Sequence, residues 1–158
     1  MNPILFEELN LNLEGRIIFL DIDGTLIADG SQLDFEPKIL NKINFLRQKN
    51  QIFLCTNSSD RIRSNKIERA LSLPIATYNH KKPSSKIIKE LGIGKENKNF
   101  LVIGDKVLID GLFALNIGAE FIKVKRKISG QESLVIKLIN LADDLICQVV
   151  KLRWFLKN

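Results

Sequence analysis

The chain has 158 residues, 45% of them hydrophobic and 27% charged, with a formal net charge of +6. That size and balance suit one soluble globular domain spanning 1–158. No stretch reaches the ~18 uninterrupted apolar residues of a membrane span, and the start, MNPILFEELN, lacks the basic region and long apolar run of a secretion signal. A positive charge suits anionic partners such as phosphorylated metabolites, nucleic acid or anionic lipid. Here it is spread along the chain, apart from Lys123-Val124-Lys125-Arg126-Lys127, and is read mainly as composition. Cys55 and Cys147 match no metal spacing and lie in apolar surroundings, so two buried free thiols in a reducing cytoplasm are expected.

Short apolar runs alternate with longer amphipathic stretches. Ile17 to Leu20, Ile52 to Cys55, Pro74 to Thr77, Phe100 to Ile103 and Glu120 to Val124 are predicted strands, being short and bounded by charge or glycine. Between them, Glu36 to Lys49 carries Ile39, Leu40, Ile43 and Leu46 at helical spacing, with Pro37 suited to the first turn. Asp60 to Leu71 is a second helix with Asp60 as its N-cap. Ser84 to Leu91 ends at Gly92, a natural C-cap, and Val107 to Asn116 ends near Gly118. Strict alternation predicts an α/β fold: a three-layer Rossmann-like sandwich around a five-stranded, mainly parallel sheet. Ligands of such sheets bind beyond the carboxyl ends of the strands.

Polar groups stand at those ends. Asp21 and Asp23 follow the first strand, and Thr56, Asn57 and Ser58 the second. Lys81 and Lys82 follow the third, and Gly104 and Asp105 the fourth, with Asp110 five residues on. Carboxylates meeting in one cleft raise each other's pKa unless a cation sits among them. All-oxygen ligands without histidine or cysteine favour a hard ion such as Mg²⁺. Asp21 is then a candidate nucleophile, forming an aspartyl-phosphate. Asp23 is placed to protonate the leaving oxygen and then activate water. Thr56 and Lys82 offer a hydroxyl and a positive charge to the transferring phosphoryl group. Gly24 lets the backbone turn sharply and approach a phosphate. The single histidine, His80, reads as a solvated loop residue.

Asp21-Ile22-Asp23-Gly24-Thr25, Thr56-Asn57, Lys82-Pro83 and Gly104-Asp105 with Asp110 resemble the four ordered motifs of the haloacid dehalogenase-like superfamily. The resemblance covers roughly Ile17 to Val124. It implies a Mg²⁺-dependent phosphatase in which Asp21 is the nucleophile and Asp23 the acid/base. Thr56, Asn57 and Lys82 would bind phosphate. Asp21, Asp105 and Asp23 (through its backbone carbonyl) would hold the metal. Asp110 would stand behind the metal or Lys82. Lys82 is preferred to Lys81 because it precedes Pro83. Lys106 stands where many relatives carry a different polar residue and is assigned no role.

Neither gap between motifs has room for a lid domain, so no cap is expected, and Ile27 to Phe35 reads as a short flap. An uncapped site excludes water by other means or takes a substrate large enough to cover it. The chain thus resembles the capless subclass III, its IIIA branch above all, which includes phosphatidylglycerophosphate phosphatases. Phosphatases for eight-carbon sugar acids, histidinol phosphate and nucleic-acid 3′ ends share that subclass. A receiver-like, non-catalytic phospho-binding module is the rival from another class, and Asp23 argues against it.

The last stretch, about 131–157, is predicted to be an apolar helix with more apolar residues than one core-facing stripe needs. Either a second copy of the chain covers its outer face, or that face meets the inner surface of a membrane, with Trp154, Lys151, Arg153 and Lys157 at the interface. Core packing with a homodimer is the more ordinary outcome, and Asp143 and Asp144 speak against deep lipid insertion. Nucleic acid ranks lower, since no aromatic platform for bases is evident.

Overall fold

The computed structural model describes residues 3–10, 12–29, 31–94 and 99–155. Four parallel strands form one sheet: β1 (Ile17–Asp21), β2 (Gln51–Cys55), β3 (Phe100–Gly104) and β4 (Glu120–Lys123), in the order β2-β1-β3-β4. The fold is therefore α/β with a parallel sheet, as the alternation predicts. The expected fifth strand does not form. Around Pro74 the chain makes a single parallel bridge, Leu54 to Ile75, with Leu54 N–H donating to Pro74 and Ala76 N–H to Leu54. Proline has no N–H to extend a ladder, the Ile75 N–H donates to the Glu68 carboxylate, and Thr77 turns its hydroxyl onto the backbone of Thr56.

Side chains alternate to the two faces of each strand; both faces of β1, β2 and β3 are buried, while the edge strand β4 is only partly covered. Ile18, Leu20, Ile52, Leu54, Leu101 and Ile103 pack with α1 (Pro37–Arg47) and α2 (Arg61–Leu71) through Ile39, Ile43, Leu46, Ile67 and Leu71. Ile17, Phe19, Phe53, Phe100 and Val102 face α3 (Lys86–Glu90) and α4 (Leu112–Ile117) through Ile87, Ile88, Phe113 and Ala114. Phe19 is central to this second layer, with ring centroids of Phe53, Phe100 and Phe113 at 5.7, 5.9 and 5.5 Å, spacings at which offset and edge-to-face contacts are favourable. Asp60 caps α2 by accepting from the Arg63 N–H at 2.9 Å.

The predicted helix from Val107 to Asn116 is two elements. Val107–Gly111 is a single π turn, and α4 follows it, ending at Gly118. In the wide turn the carbonyl of Lys106 accepts from the N–H groups of Ile109, Asp110 and Gly111. This brings the Asp110 side chain back toward its own strand end, a use of π geometry often seen at functional sites.

The C-terminal helix, α5 (Leu134–Phe155), starts three residues later than expected. Buried Asp143 latches it to the body, accepting from the Leu108 N–H at 2.8 Å, Lys123 Nζ at 2.8 Å and Arg126 Nη2 at 3.3 Å. Leu134, Val135, Leu138, Leu141 and Leu145 on this helix are exposed. The side chains of Lys151, Arg153, Trp154 and Lys157, named as interface residues from the sequence, lie outside the described residues. Among the described residues no helix is long and apolar enough to cross a membrane.

Candidate active site

Strand register sets the site. Leu20 lies opposite Ile103, and Asp21 lies opposite Cys55. The residues that follow β2 and β3, Thr56 and Asp105, therefore emerge beside Asp21 on the carboxyl rim. Asp21, Asp105 and Asp110 are all buried, and each offers a carboxylate oxygen within 4.8 Å of the others.

Asp21 is fixed from two sides. Thr25 Oγ1 donates to its Oδ2 at 2.8 Å, and Lys82 Nζ to its Oδ1 at 2.5 Å. The same ammonium reaches Asp110 Oδ1 at 2.6 Å. Burial pushes the Asp21 carboxyl well above its ordinary range, Asp110 adds to the rise, and Lys82 opposes it. Burial alone would push Lys82 down, but Asp110 and Asp21 hold its ammonium above its usual value. Asn57 positions that lysine by a two-way clamp: its Nδ2 donates to the Lys82 carbonyl, and its Oδ1 accepts from the Lys82 N–H, both at 2.9 Å. The Asn57 amide is thus committed to the loop. Lys81 takes another course, its Nζ donating to the Ser58 carbonyl at 2.7 Å.

The Asp23 carboxylate has a different set of partners. Its Oδ2 accepts from Thr56 Oγ1 at 2.8 Å and its Oδ1 from Arg63 Nη2 at 2.6 Å. Its carbonyl shares the Lys106 ammonium with Asp105. Asp110 Oδ2 accepts from the Lys106 N–H at 3.1 Å, which locks the π turn to the strand end.

Two glycines are required by contact. Gly24 has φ +91°, and a Cβ there would lie 2.7 Å from Asp105 Oδ2. A Cβ on Gly104 would lie 2.3 Å from Asp110 Cγ.

Sequence reasoning missed several charged residues. Lys106 Nζ donates to Asp105 Oδ1 and Oδ2 at 2.9 and 2.8 Å and to the Asp23 carbonyl at 3.2 Å, with Asp29 Oδ2 at 3.5 Å. Arg126 Nε donates to Asp105 Oδ2 at 2.7 Å. Much of the basic run before α5 is therefore spent on partners within the chain: Lys123 and Arg126 serve Asp105 and Asp143, and Lys127 pairs with Glu7 and Glu36. Alternation along an extended segment was the signal that could have found Lys123, which shares its face of β4 with buried positions on β3.

The cavity at this rim has a volume of about 440 Å³. Its lining combines the charged side chains of Asp21, Asp23, Lys82, Lys106, Asp110, Arg63 and Asp60 with the apolar ones of Ile109, Ile136 and Ile139. Ile136 and Ile139 belong to α5, so the C-terminal helix borders the cleft.

The donor set suits a hard divalent ion. It offers only oxygen, and the Lys106 ammonium shows that Asp105 and the Asp23 carbonyl converge on one cation.

Fold and site together define an α/β protein with buried carboxylates and cations clustered at the carboxyl rim of a parallel sheet. No family model matches the chain, and no curated protein does. Among solved structures, a HAD-superfamily hydrolase of subfamily IA, variant 1, from Geobacter sulfurreducens PCA is similar over 67% of this chain and 87% of that one, with a TM-score of 0.41 and 15% sequence identity. Likeness at that level decides nothing about activity, which must be read from the geometry of the site itself.

Proposed function

We propose that the protein is a phosphatase that cleaves phosphomonoesters through an aspartyl-phosphate on Asp21. The observation that carries this reading is the arrangement of Asp21: buried, held by Thr25 and Lys82, and lining the same cavity as Asp23. One Asp21 oxygen attacks phosphorus as the ester P–O bond breaks, and Asp23 gives a proton to the departing alkoxide. Asp23 then takes a proton from water as that water attacks the phosphorus of the acyl-phosphate. Inorganic phosphate leaves, and Asp21 is regenerated. Lys82 supplies positive charge to the equatorial oxygens, and Thr56 supplies a donor there once its hydroxyl turns from Asp23. Asn57 acts through its clamp on Lys82.

Mg²⁺ is the cofactor of this reading. Asp21, Asp105 and the Asp23 carbonyl would hold it, and it would neutralise charge on the phosphoryl oxygens. The apolar part of the lining, Ile109, Ile136 and Ile139, supports an ester whose alcohol carries apolar surface, a lipid-linked phosphate such as phosphatidylglycerophosphate included. No separate cap is invoked in this reading; α5 borders the cleft through Ile136 and Ile139.

Asp21→Asn is nearly isosteric, keeps an acceptor for Thr25, and cannot form the acyl-phosphate. Hydrolysis of a panel of phosphorylated metabolites, a lipid phosphate and an oligonucleotide 3′-phosphate is expected to fall to background with unchanged circular dichroism. Full activity in that variant would refute the proposal.

A further inference from the structure

We propose that Lys106 is a tethered competitor for the divalent cation: its ammonium holds the metal position in the resting protein, and an ion enters only by displacing it. This rests on the phosphatase reading for the identity of the ion, and deepens it.

Lys106 Nζ contacts both carboxylate oxygens of Asp105 and the carbonyl of Asp23, at 2.8, 2.9 and 3.2 Å. These are the oxygens a hard ion would take. Magnesium requires oxygens at ~2.0–2.1 Å in near-octahedral array, and an ammonium needs ~2.8 Å to the same atoms. One position cannot serve both, and two cations side by side there would repel.

The ammonium is also well placed to stay. Lys106 is buried, and the Asp105 carboxylate is fully enclosed. Its backbone is held by the π turn, its N–H by Asp110 and its carbonyl by three N–H groups. Tethering means that no translational freedom is lost when the ammonium binds, whereas a free ion must also shed tightly held water. Arg126 on Asp105 Oδ2 further reduces the negative charge left for an incoming ion. Asp29, 3.5 Å from Nζ, is the nearest alternative partner if the ammonium leaves Asp105.

Competition of this kind reduces apparent metal affinity by the fraction of molecules in which Lys106 has moved away. Lys106→Gln keeps a polar side chain of similar reach and removes the charge. The test is calorimetric titration of MgCl₂ into EDTA-treated full-length protein, without any phosphate ester. The expected result is that Lys106→Gln binds Mg²⁺ about ten-fold or more tightly than the unaltered protein, and that Asp105→Asn abolishes binding in both backgrounds. Equal or weaker affinity in Lys106→Gln would overturn the inference, as would binding that survives Asp105→Asn. Should Lys106→Gln fail to fold in EDTA, recovery of its melting transition with added Mg²⁺ reads the same competition. Recovery at concentrations below those that shift the unaltered protein supports the inference, and no recovery overturns it. Absence of hydrolysis with the competition intact would count against the phosphatase reading alone. Hydrolysis with Mg²⁺ affinity indifferent to residue 106 would count against this inference alone.

Discussion

Gly104→Ala is the sharpest test of how the strand end and the π turn fit together. The added Cβ would lie 2.3 Å from Asp110 Cγ and Oδ2, and ordinary contact begins near 3.4 Å. The Asp110 carboxylate would therefore have to retreat by about 1 Å. It is held by Lys82 Nζ at 2.6 Å and by the Lys106 N–H at 3.1 Å, and a shift of that size takes both beyond bonding range. Each is a hydrogen bond to a charged group, worth roughly 1.5–3 kcal/mol, so the loss is about 3–6 kcal/mol. Reduced entropy of the unfolded chain returns up to about 1 kcal/mol. The net loss, about 2–5 kcal/mol, is a large part of the ~5–15 kcal/mol typical of a domain. Urea denaturation followed by circular dichroism reads it as a lower midpoint at unchanged slope. Adding Asp110→Gly removes both the carboxylate and the Asp110 Cβ, which itself would lie 2.7 Å from the new methyl, so the double variant should be no less stable than Asp110→Gly alone. A single-variant loss below about 1 kcal/mol would refute the proposed contact and its energetics.

Two other perturbations probe the packing around the site. Asp143→Ala should release α5 from the body by leaving the Leu108 N–H without its acceptor and taking from Lys123 and Arg126 the one carboxylate that ties them to α5 from within the protein. A loss of about 3 kcal/mol and faster amide exchange in α5 are expected, and native exchange rates would contradict the latch. Burial pushes the Cys55 thiol up to about 12 from 9.0, with Lys82 opposing the rise. The unfolded chain gives up this proton first as pH rises, so alkali favours unfolding from about pH 9 upward, by at most about 1.4 kcal/mol per pH unit. Cys55→Ala should show a shallower alkaline slope than the unaltered chain in parallel urea titrations; identical slopes would show that the thiol is not protected.

The sequence made the strands β1, β2, β3 and β4 legible because each is a short apolar run with a polar residue at its end. It also made Asp21, Thr56 and Asp105 legible as neighbours, because parallel pairing puts successive strand ends on one rim. The Pro74 segment misled because its composition is apolar while its missing N–H bars a ladder. Lys106 and Arg126 escaped notice for a different reason. Long charged side chains can face water or a carboxylate, and only the path of the π turn and of the segment after β4 decides which. The same holds for Ile136 and Ile139: their apolar character was plain, but the position of α5 beside the cleft depends on the Asp143 latch far along the helix.

Trapping the intermediate on Asp21 tests the central claim most directly. Protein mixed with a turned-over phosphate ester, quenched in acid and reduced with borohydride should yield homoserine at position 21, read by peptide mass spectrometry, because reduction captures only an acylated carboxylate. Homoserine at position 21, absent without substrate and absent in Asp21→Asn, is the predicted result. Rapid hydrolysis with aspartate intact at position 21, or with the label at Asp23, Asp105 or Asp110, would contradict the account.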